Sequence, residues 1–322
     1  MITTAPRNNL LGAICAVGGA TCFSINDMAI KFLSDDYALH QIVFLRAIVG
    51  LSLTLAIAVP LAGGLAVLRT RRPGMHVARC LCVITVNTLF FLALAAMPIA
   101  DATALFFVSP LVIAALSVVV LGERVGPWRW AAVAIGLVGV IVMLRPGGGT
   151  VQLAALFPLG AALAYATLNL ITRSIGGTER AITMAVYTQV GFLTIGAVMG
   201  LATGHGRFGG QEDPSLAFLL RGWVWPAPAD LPLIVLIGAA SAGGAFLLSQ
   251  AYRVAEAGLA APFEYIALPL AVLWGITIFG DFPDAIGVAG MVLIAGGGLL
   301  LIWRETRAAR TARALAPGGA PR

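Results

Sequence analysis

A single carboxylate set among proline and aromatic residues, Pro262-Phe263-Glu264-Tyr265, lies well inside an apolar run of the chain. Ionised, such a group attracts a cationic solute or a coupling proton; protonated by burial, it donates a hydrogen bond. A structural ion pair with an arginine of a neighbouring helix is the third use. Pro262 and Pro269 free backbone carbonyls and bend the helix, an irregularity that lipid tolerates only against protein or a wet cavity. Glu264 is therefore expected to face an interior. Tyr165, Phe106, Phe107, Tyr265 and Trp274 offer flat walls for a planar or amphipathic solute, or ordinary packing.

Other polar groups also interrupt apolar runs, where a charge at mid-bilayer costs about 2.5 to 3.5 kcal/mol. Asp27 and Lys31 are four residues apart and share a helical face, with Asn26 beside them. Arg46 lies in the next run near the same end, so the three ions either neutralise one another or gate that end. Asn169 and Arg173 occupy the opposite end of a later run and supply the matching gate. Asn87, Ser249 and Gln250 are neutral hydrogen-bonding groups that bind a substrate or bridge helices. No metal site is expected: Cys15, Cys22, Cys80 and Cys82 lack paired ligand spacing, and they read as small packing residues. Asp35-Asp36 is an isolated pair, and neither HExxH nor GxSxG occurs.

The elements that carry these residues follow from composition. Of 322 residues 60% are hydrophobic and 11% charged, where soluble domains carry about 25% charged residues. Ten runs approach the roughly 20 residues a spanning helix needs: 10–32, 39–61, 78–97, 99–121, 128–145, 153–175, 181–203, 231–252, 257–280 and 285–303. The first is a retained helix rather than a cleaved signal, since it holds Asn26, Asp27 and Lys31 and nine further spans follow. The net charge of +6 does not indicate nucleic acid, because the cations sit in connections and in the tail. With the first residues cytoplasmic, fifteen arginines fall on inner connections and tail, and three, Arg145, Arg207 and Arg221, on outer ones. That bias places both termini inside. The long connection from Gly204 to Asp230 is read as an interfacial segment with Trp223 and Trp225 at headgroup depth, or as a lid.

The chain is internally duplicated. A shift of 142 residues aligns Phe23, Asp27 and Lys31 with Tyr165, Asn169 and Arg173; a shift of 158 aligns Gly122-Glu123 with Gly280-Asp281 and Gly139 with Gly297. Ser109-Pro110 and Leu268-Pro269 correspond to within one residue. With five helices per half the repeats are inverted, an arrangement that puts a substrate site between them. The organisation is thus a first repeat at 1–145, a second at 146–303 and a basic cytoplasmic tail at 304–322, with Pro146 to Gly149 as the linker. Gly196 and Gly200, Gly136 and Gly139, and Gly287 and Gly290 are close-spaced small residues, suited to packing within the bundle or to the seam of a homodimer.

Ten spans in two halves, Phe23-Ser24-Ile25-Asn26-Asp27 with Lys31, Arg46, Ser109-Pro110 with Gly122-Glu123, and Pro262-Phe263-Glu264-Tyr265 with Gly280-Asp281 together resemble EamA-type members of the drug/metabolite transporter superfamily. The resemblance implies an all-α integral membrane fold of two inverted five-helix repeats around a cavity formed by the first, third, fourth, sixth, eighth and ninth helices. The Pro-Phe-Glu-Tyr segment looks like that of uptake members handling riboflavin or S-adenosylmethionine. The expectation is a secondary transporter of a small organic metabolite, a vitamin or an amino acid, working by alternating access in a bacterial-type inner membrane. Substrate-binding candidates are Asn26, Asn87, Phe106, Tyr165, Asn169, Gln250, Glu264, Tyr265 and Trp274; gating or ion-pair candidates are Asp27, Lys31, Arg46 and Arg173. The expected partners are a small solute and membrane lipid, with no cofactor and no nucleic acid. A membrane enzyme acting on a lipid or isoprenoid is the competing class, and a channel the third.

Overall fold

The computed structural model describes residues 9–70, 72–121, 126–145, 153–175, 181–254 and 262–315. Within it the predicted spans become helices at Asn9–Leu33, Leu39–Leu53 with its continuation to Leu61, Pro73–Ala96, Ile99–Phe106 with Ser109–Leu121, Pro127–Leu144, Leu156–Ile175, Ala181–Thr203, Leu231–Val254, Ala267–Trp274 with its continuation to Phe279, and Ala285–Leu315. Among the described residues nine helical spans are long and apolar enough to cross a membrane, and the shorter apolar helix Trp130–Leu144 stands at the fifth position. The chain is a multi-pass membrane protein, and the spans are called first to tenth below. Pro73 and Pro127 open their helices at the first turn, where a missing N–H costs nothing. Gly280 closes the ninth span in the left-handed conformation, φ 71°, which gives the Gly-acid signature its physical reason. Two boundaries differ from expectation: the third span starts five residues earlier, and the tenth runs on into the basic tail as far as Leu315.

Exchange of the two halves reproduces the packing. The first span packs on the eighth and the third on the sixth, while the second meets the seventh and the fifth meets the tenth. The duplication holds at atomic detail. A Cβ added to Gly18 would sit 3.3 Å from Leu247 Cδ1, and one added to Gly160 would sit 3.1 Å from Leu89 Cδ1; shifts of 142 and 158 carry the first contact onto the second. In the fifth-to-tenth seam a Cβ on Gly139 meets Ile294 at 2.8 Å, and one on Gly297 meets the Gly136 backbone at 3.1 Å. These two contacts also exchange under 158.

Connection 34–38, the end of the third span, connection 204–230 and connection 280–284 meet at one end of the bundle. The start of the third span, the end of the sixth and the start of the seventh meet at the other. Successive spans therefore alternate in direction, and halves of five are inverted. Small residues let the backbones approach, as helix association in lipid requires. Of the glycine pair in the seventh span, Gly196 faces Phe44 and the His40 carbonyl of the second, whereas Gly200 seats the Trp223 ring. The interior is apolar around Ile30, Leu33, Phe91, Leu94, Leu105, Leu111 and Ile237.

Candidate functional site

The fourth and ninth spans are broken at equivalent places. The fourth turns at Phe107 and Val108, the ninth at Tyr265 and Ile266, positions related by the shift of 158. Pro110 and Pro269 lie just beyond the breaks and withhold the N–H that would continue the ladder. Discontinuous helices in corresponding positions of two halves mark the region where solute is handled. Here they touch: the Phe107 and Tyr265 rings lie 4.7 Å apart. Residues equivalent by duplication and in mutual contact lie on the pseudo-two-fold axis, so this aromatic pair is at the centre of the molecule.

From that centre a wall of rings extends. Phe106 stands 5.5 Å from Tyr165 of the sixth span and 5.2 Å from Phe90 of the third. Glu264, half-buried, directly precedes the break at Tyr265. Gly298 of the tenth span makes room for the Tyr265 hydroxyl, since a Cβ there would overlap it. Phe106, Tyr165, Glu264 and Tyr265 are thus brought together. Trp274 is not with them; it lies ten residues farther along the ninth span, about 15 Å at helical rise, and its indole N–H donates to Ser24 Oγ at 2.9 Å.

A second polar group occupies the first, second and third spans. Arg46 Nη2 donates to Asn87 Oδ1 at 3.3 Å, and Asn26 Nδ2 donates to Asp27 Oδ1 at 3.0 Å. The Arg46 guanidinium is also 5.3 Å from the Phe91 ring centre and 4.7 Å from that of Phe192. Asp27 and Arg46 carry opposite formal charges on successive spans. Lys31 does not join them. Its ammonium donates to the carbonyls of Leu94 and Met97, both at 2.8 Å, and lies 5.2 Å from the Phe279 ring centre. A long cationic side chain runs toward the water-side end, where the third helix has carbonyls without intrahelical donors. Lys31 therefore stitches together the first, third and ninth spans at one end of the bundle.

Asn169 turns back on its own helix, donating to the Tyr165 carbonyl at 2.8 Å. Gln250 is half-buried in the eighth span. The Arg173 side chain and Gly122-Glu123 lie outside the described residues, as does the Pro146 to Gly149 linker. Sequence reasoning missed Arg79, counted only as an orienting charge. It donates to Thr172 Oγ1 at 3.2 Å, Thr188 Oγ1 at 2.8 Å and the Met184 carbonyl at 3.2 Å, and so fastens the third, sixth and seventh spans at the end opposite Lys31. Its place at the very start of the expected span hid that role. Phe90 and Phe91, adjacent aromatics in the third span, were also passed over.

The connection 204–230 forms a strap across the end of the bundle that Lys31 closes. Asp213 caps a short helix, Pro214–Leu220, and Ser215 donates to the Leu92 carbonyl at 2.9 Å. Arg221 donates to the Ser34 carbonyl at 2.8 Å, and Tyr37 binds both Asp230 and the Ala227 N–H. Trp223 packs on His40 and Phe44, while Trp225 is 95% exposed. Trp223→Ala is expected to cost about 2 kcal/mol, less than a fully buried aromatic because the ring is only partly covered. Thermal melting in detergent should show this loss, and Trp225→Ala should melt as the parent does. Beside the strap, Arg145 at the end of the fifth span pairs with Asp284, and the guanidinium holds the Asp284 carboxyl below its ordinary range.

Comparison with known proteins agrees with this architecture. Residues 10–145 match the model of the EamA-like transporter family. A riboflavin transporter of Rhizobium johnstonii is 30% identical over 96% of each chain. An S-adenosylmethionine uptake transporter of Rickettsia prowazekii is 27% identical over 88% of this chain and 90% of its own, and a pseudopaline exporter of Pseudomonas aeruginosa is 25% identical over 88% and 93%. A solved crystal structure superposes with a TM-score of 0.59 at 21% identity, covering 91% of this chain and 97% of its own.

Proposed function

The chain belongs to the EamA-like transporter family, and from that premise we propose that its cargo is a planar metabolite with a polar substituent, of the riboflavin type. The observation that carries the reading is the meeting of two broken helices at Phe107 and Tyr265, beside a wall of Phe106, Tyr165 and Phe90 that matches the flat face of such a solute. Glu264 lies against this wall and supplies its acidic pole. The relatives named for riboflavin and S-adenosylmethionine carry molecules that combine a heteroaromatic ring with a polar chain. The aromatic stack suits the ring in both cases.

Transport proceeds by alternating access. Inverted repeats make the two closures equivalent in kind: Lys31 on the Leu94 and Met97 carbonyls seals the outer end, and Arg79 draws together Thr172, Thr188 and Met184 at the inner end. The arginine bias puts the tail and the Arg79 end in the cytoplasm of a bacterial-type inner membrane. Asn169 and Arg173 belong to the inner half by duplication, as Asp27 and Lys31 belong to the outer.

The test is uptake of labelled riboflavin by proteoliposomes holding the purified protein. The parent is expected to give saturable uptake, and Glu264→Gln to lower uptake efficiency about tenfold, the effect of one charge-assisted interaction of about 1.5 kcal/mol. Should the parent move neither riboflavin nor S-adenosylmethionine in either direction, this cargo class is wrong. Unchanged kinetics in Glu264→Gln would remove the acidic pole from the site.

A further inference from the structure

Away from the cargo path, one face of the tenth span has the profile of a lipid molecule. Val292, Gly296, Leu299, Trp303 and Arg307 recur at intervals of three or four residues and so share a helical face; all five are exposed. Along the helix the face runs from apolar through aromatic to cationic. Trp303 lies 18 residues beyond Ala285, where the helix begins, about 27 Å at helical rise, and the hydrocarbon layer is about 30 Å thick. The face therefore leaves the hydrocarbon at Trp303 and meets the headgroups at Arg307, at the end of the bundle that Arg79 fastens.

At that boundary two spans build a stack. The Arg304 guanidinium carbon stands 3.9 Å from the Trp128 ring centre and 5.0 Å from that of Trp303, and Arg307 stands 5.5 Å from Trp303. Trp128 is in the first turn of the fifth span, immediately after Pro127. The two helices are held together below it by the Gly139 and Gly297 contacts, so the stack rests on a rigid seam. Rings engage the face of a guanidinium and leave its N–H groups, which lie in the plane, for an acceptor. Of the Arg304 nitrogens Nε alone is covered without an acceptor among the described residues, which leaves the terminal Nη groups at the surface.

Charge selects the occupant. The helix continues to Leu315 and carries Arg304, Arg307, Arg310 and Arg313 against one acid, Glu305. A phosphodiester presents two oxygens that match an arginine fork, and acyl chains match the apolar part of the face below. A headgroup that also bears an ammonium would bring a cation onto the arginines. A second copy of the chain on this face would do the same, because a two-fold contact sets one set of arginines against the other.

We propose that Trp128, Trp303, Arg304 and Arg307 form a binding site for a phospholipid of net negative charge, its phosphate on the two arginines and an acyl chain along Leu299, Gly296 and Val292. The site is independent of the cargo reading. It gives the fifth and tenth spans, which lie outside the aromatic centre, a partner of their own.

The experiment is thermal melting of the full chain, purified in a neutral detergent, against rising mole fraction of dioleoyl phosphatidylglycerol or dioleoyl phosphatidylcholine. The half-effect mole fraction is expected to be at least tenfold lower for phosphatidylglycerol. In Arg304→Gln the preference should fall to within threefold. Arg307→Gln alters an exposed side chain and should lower it about threefold, a readout that stands if Arg304→Gln does not fold. Arg207→Gln removes the same charge from the other end of the bundle and should keep the full preference. Equal effects of the two lipids on the parent overturn the site, as does an unchanged preference in Arg307→Gln. An equal loss in Arg207→Gln, the mark of net charge alone, overturns it too. sn-Glycerol 3-phosphate, which has the anion without the chains, should not raise the melting temperature; a rise matching that of phosphatidylglycerol would make the ligand a free phosphate. A dimer by light scattering, with melting that ignores lipid, would give the face to a second copy.

Discussion

Arg46→Leu is expected to remove most of the protein from the folded, transporting pool, and Asp27→Asn in the same chain to bring part of it back. Arg46 is a fully desolvated cation in the second span, cradled between Phe91 and Phe192, with Asp27 as the opposite formal charge on the first span. Its loss strands a carboxylate at membrane depth, about 3 kcal/mol on insertion scales. The two ring contacts add about 2 kcal/mol when desolvated. Against a total stability of about 5–15 kcal/mol, the sum is severe. Asp27→Asn deletes the stranded charge and retains a hydrogen-bonding group for Asn26, so the double variant should recover about 2 kcal/mol relative to additivity. The measurement is a double-mutant cycle on melting temperature in detergent, followed by vesicle uptake. Strict additivity would mean that the two charges do not sense each other.

Gly139→Ala and Gly296→Ala are expected to have opposite signs. Both glycines are helical, and both substitutions gain up to about 1 kcal/mol of helix propensity. A Cβ at Gly139, however, would lie 2.9 Å from the Gly290 carbonyl oxygen and 2.9 Å from Leu293 Cβ, while one at Gly296 meets nothing within 4 Å. The fifth and tenth spans can accept the extra atom only by separating along their whole seam, an overpacking cost of about 1–3 kcal/mol. Gly139→Ala should therefore melt several degrees lower, and Gly296→Ala at or above the parent. A matching loss in both would mean that these glycines act through helix propensity rather than through the seam.

How much of this was legible in the sequence depends on the kind of interaction. The spans were readable because lipid demands long apolar runs, and the duplication because Gly122-Glu123 and Gly280-Asp281, or Gly139 and Gly297, keep their offset. Pro262 and Pro269 announced the bend in the ninth span, whereas the meeting of Phe107 with Tyr265 depends on how two remote breaks pack and was not read. Lys31 defied reading for a physical reason: its partners are backbone carbonyls at Leu94 and Met97, which leave no mark in residue types. Trp223 and Trp225 are the same residue two positions apart, yet one is folded onto His40 and Phe44 and the other faces outward. That distinction arises from the path of the strap, set by Ser215, Arg221 and Tyr37 bonding to distant partners. Arg79 looked like an ordinary orienting charge because its three acceptors come from two spans remote in sequence.

Lys31 carries the only ε-amine in the chain, and that amine is occupied by two carbonyls. Acylating reagents attack an unprotonated amine whose lone pair is open to solvent, so the reaction has one side-chain target and is blocked while the seal holds. A label applied from the side that Lys31 closes becomes a clock: its rate counts how often the stitching lets go, with or without cargo aboard.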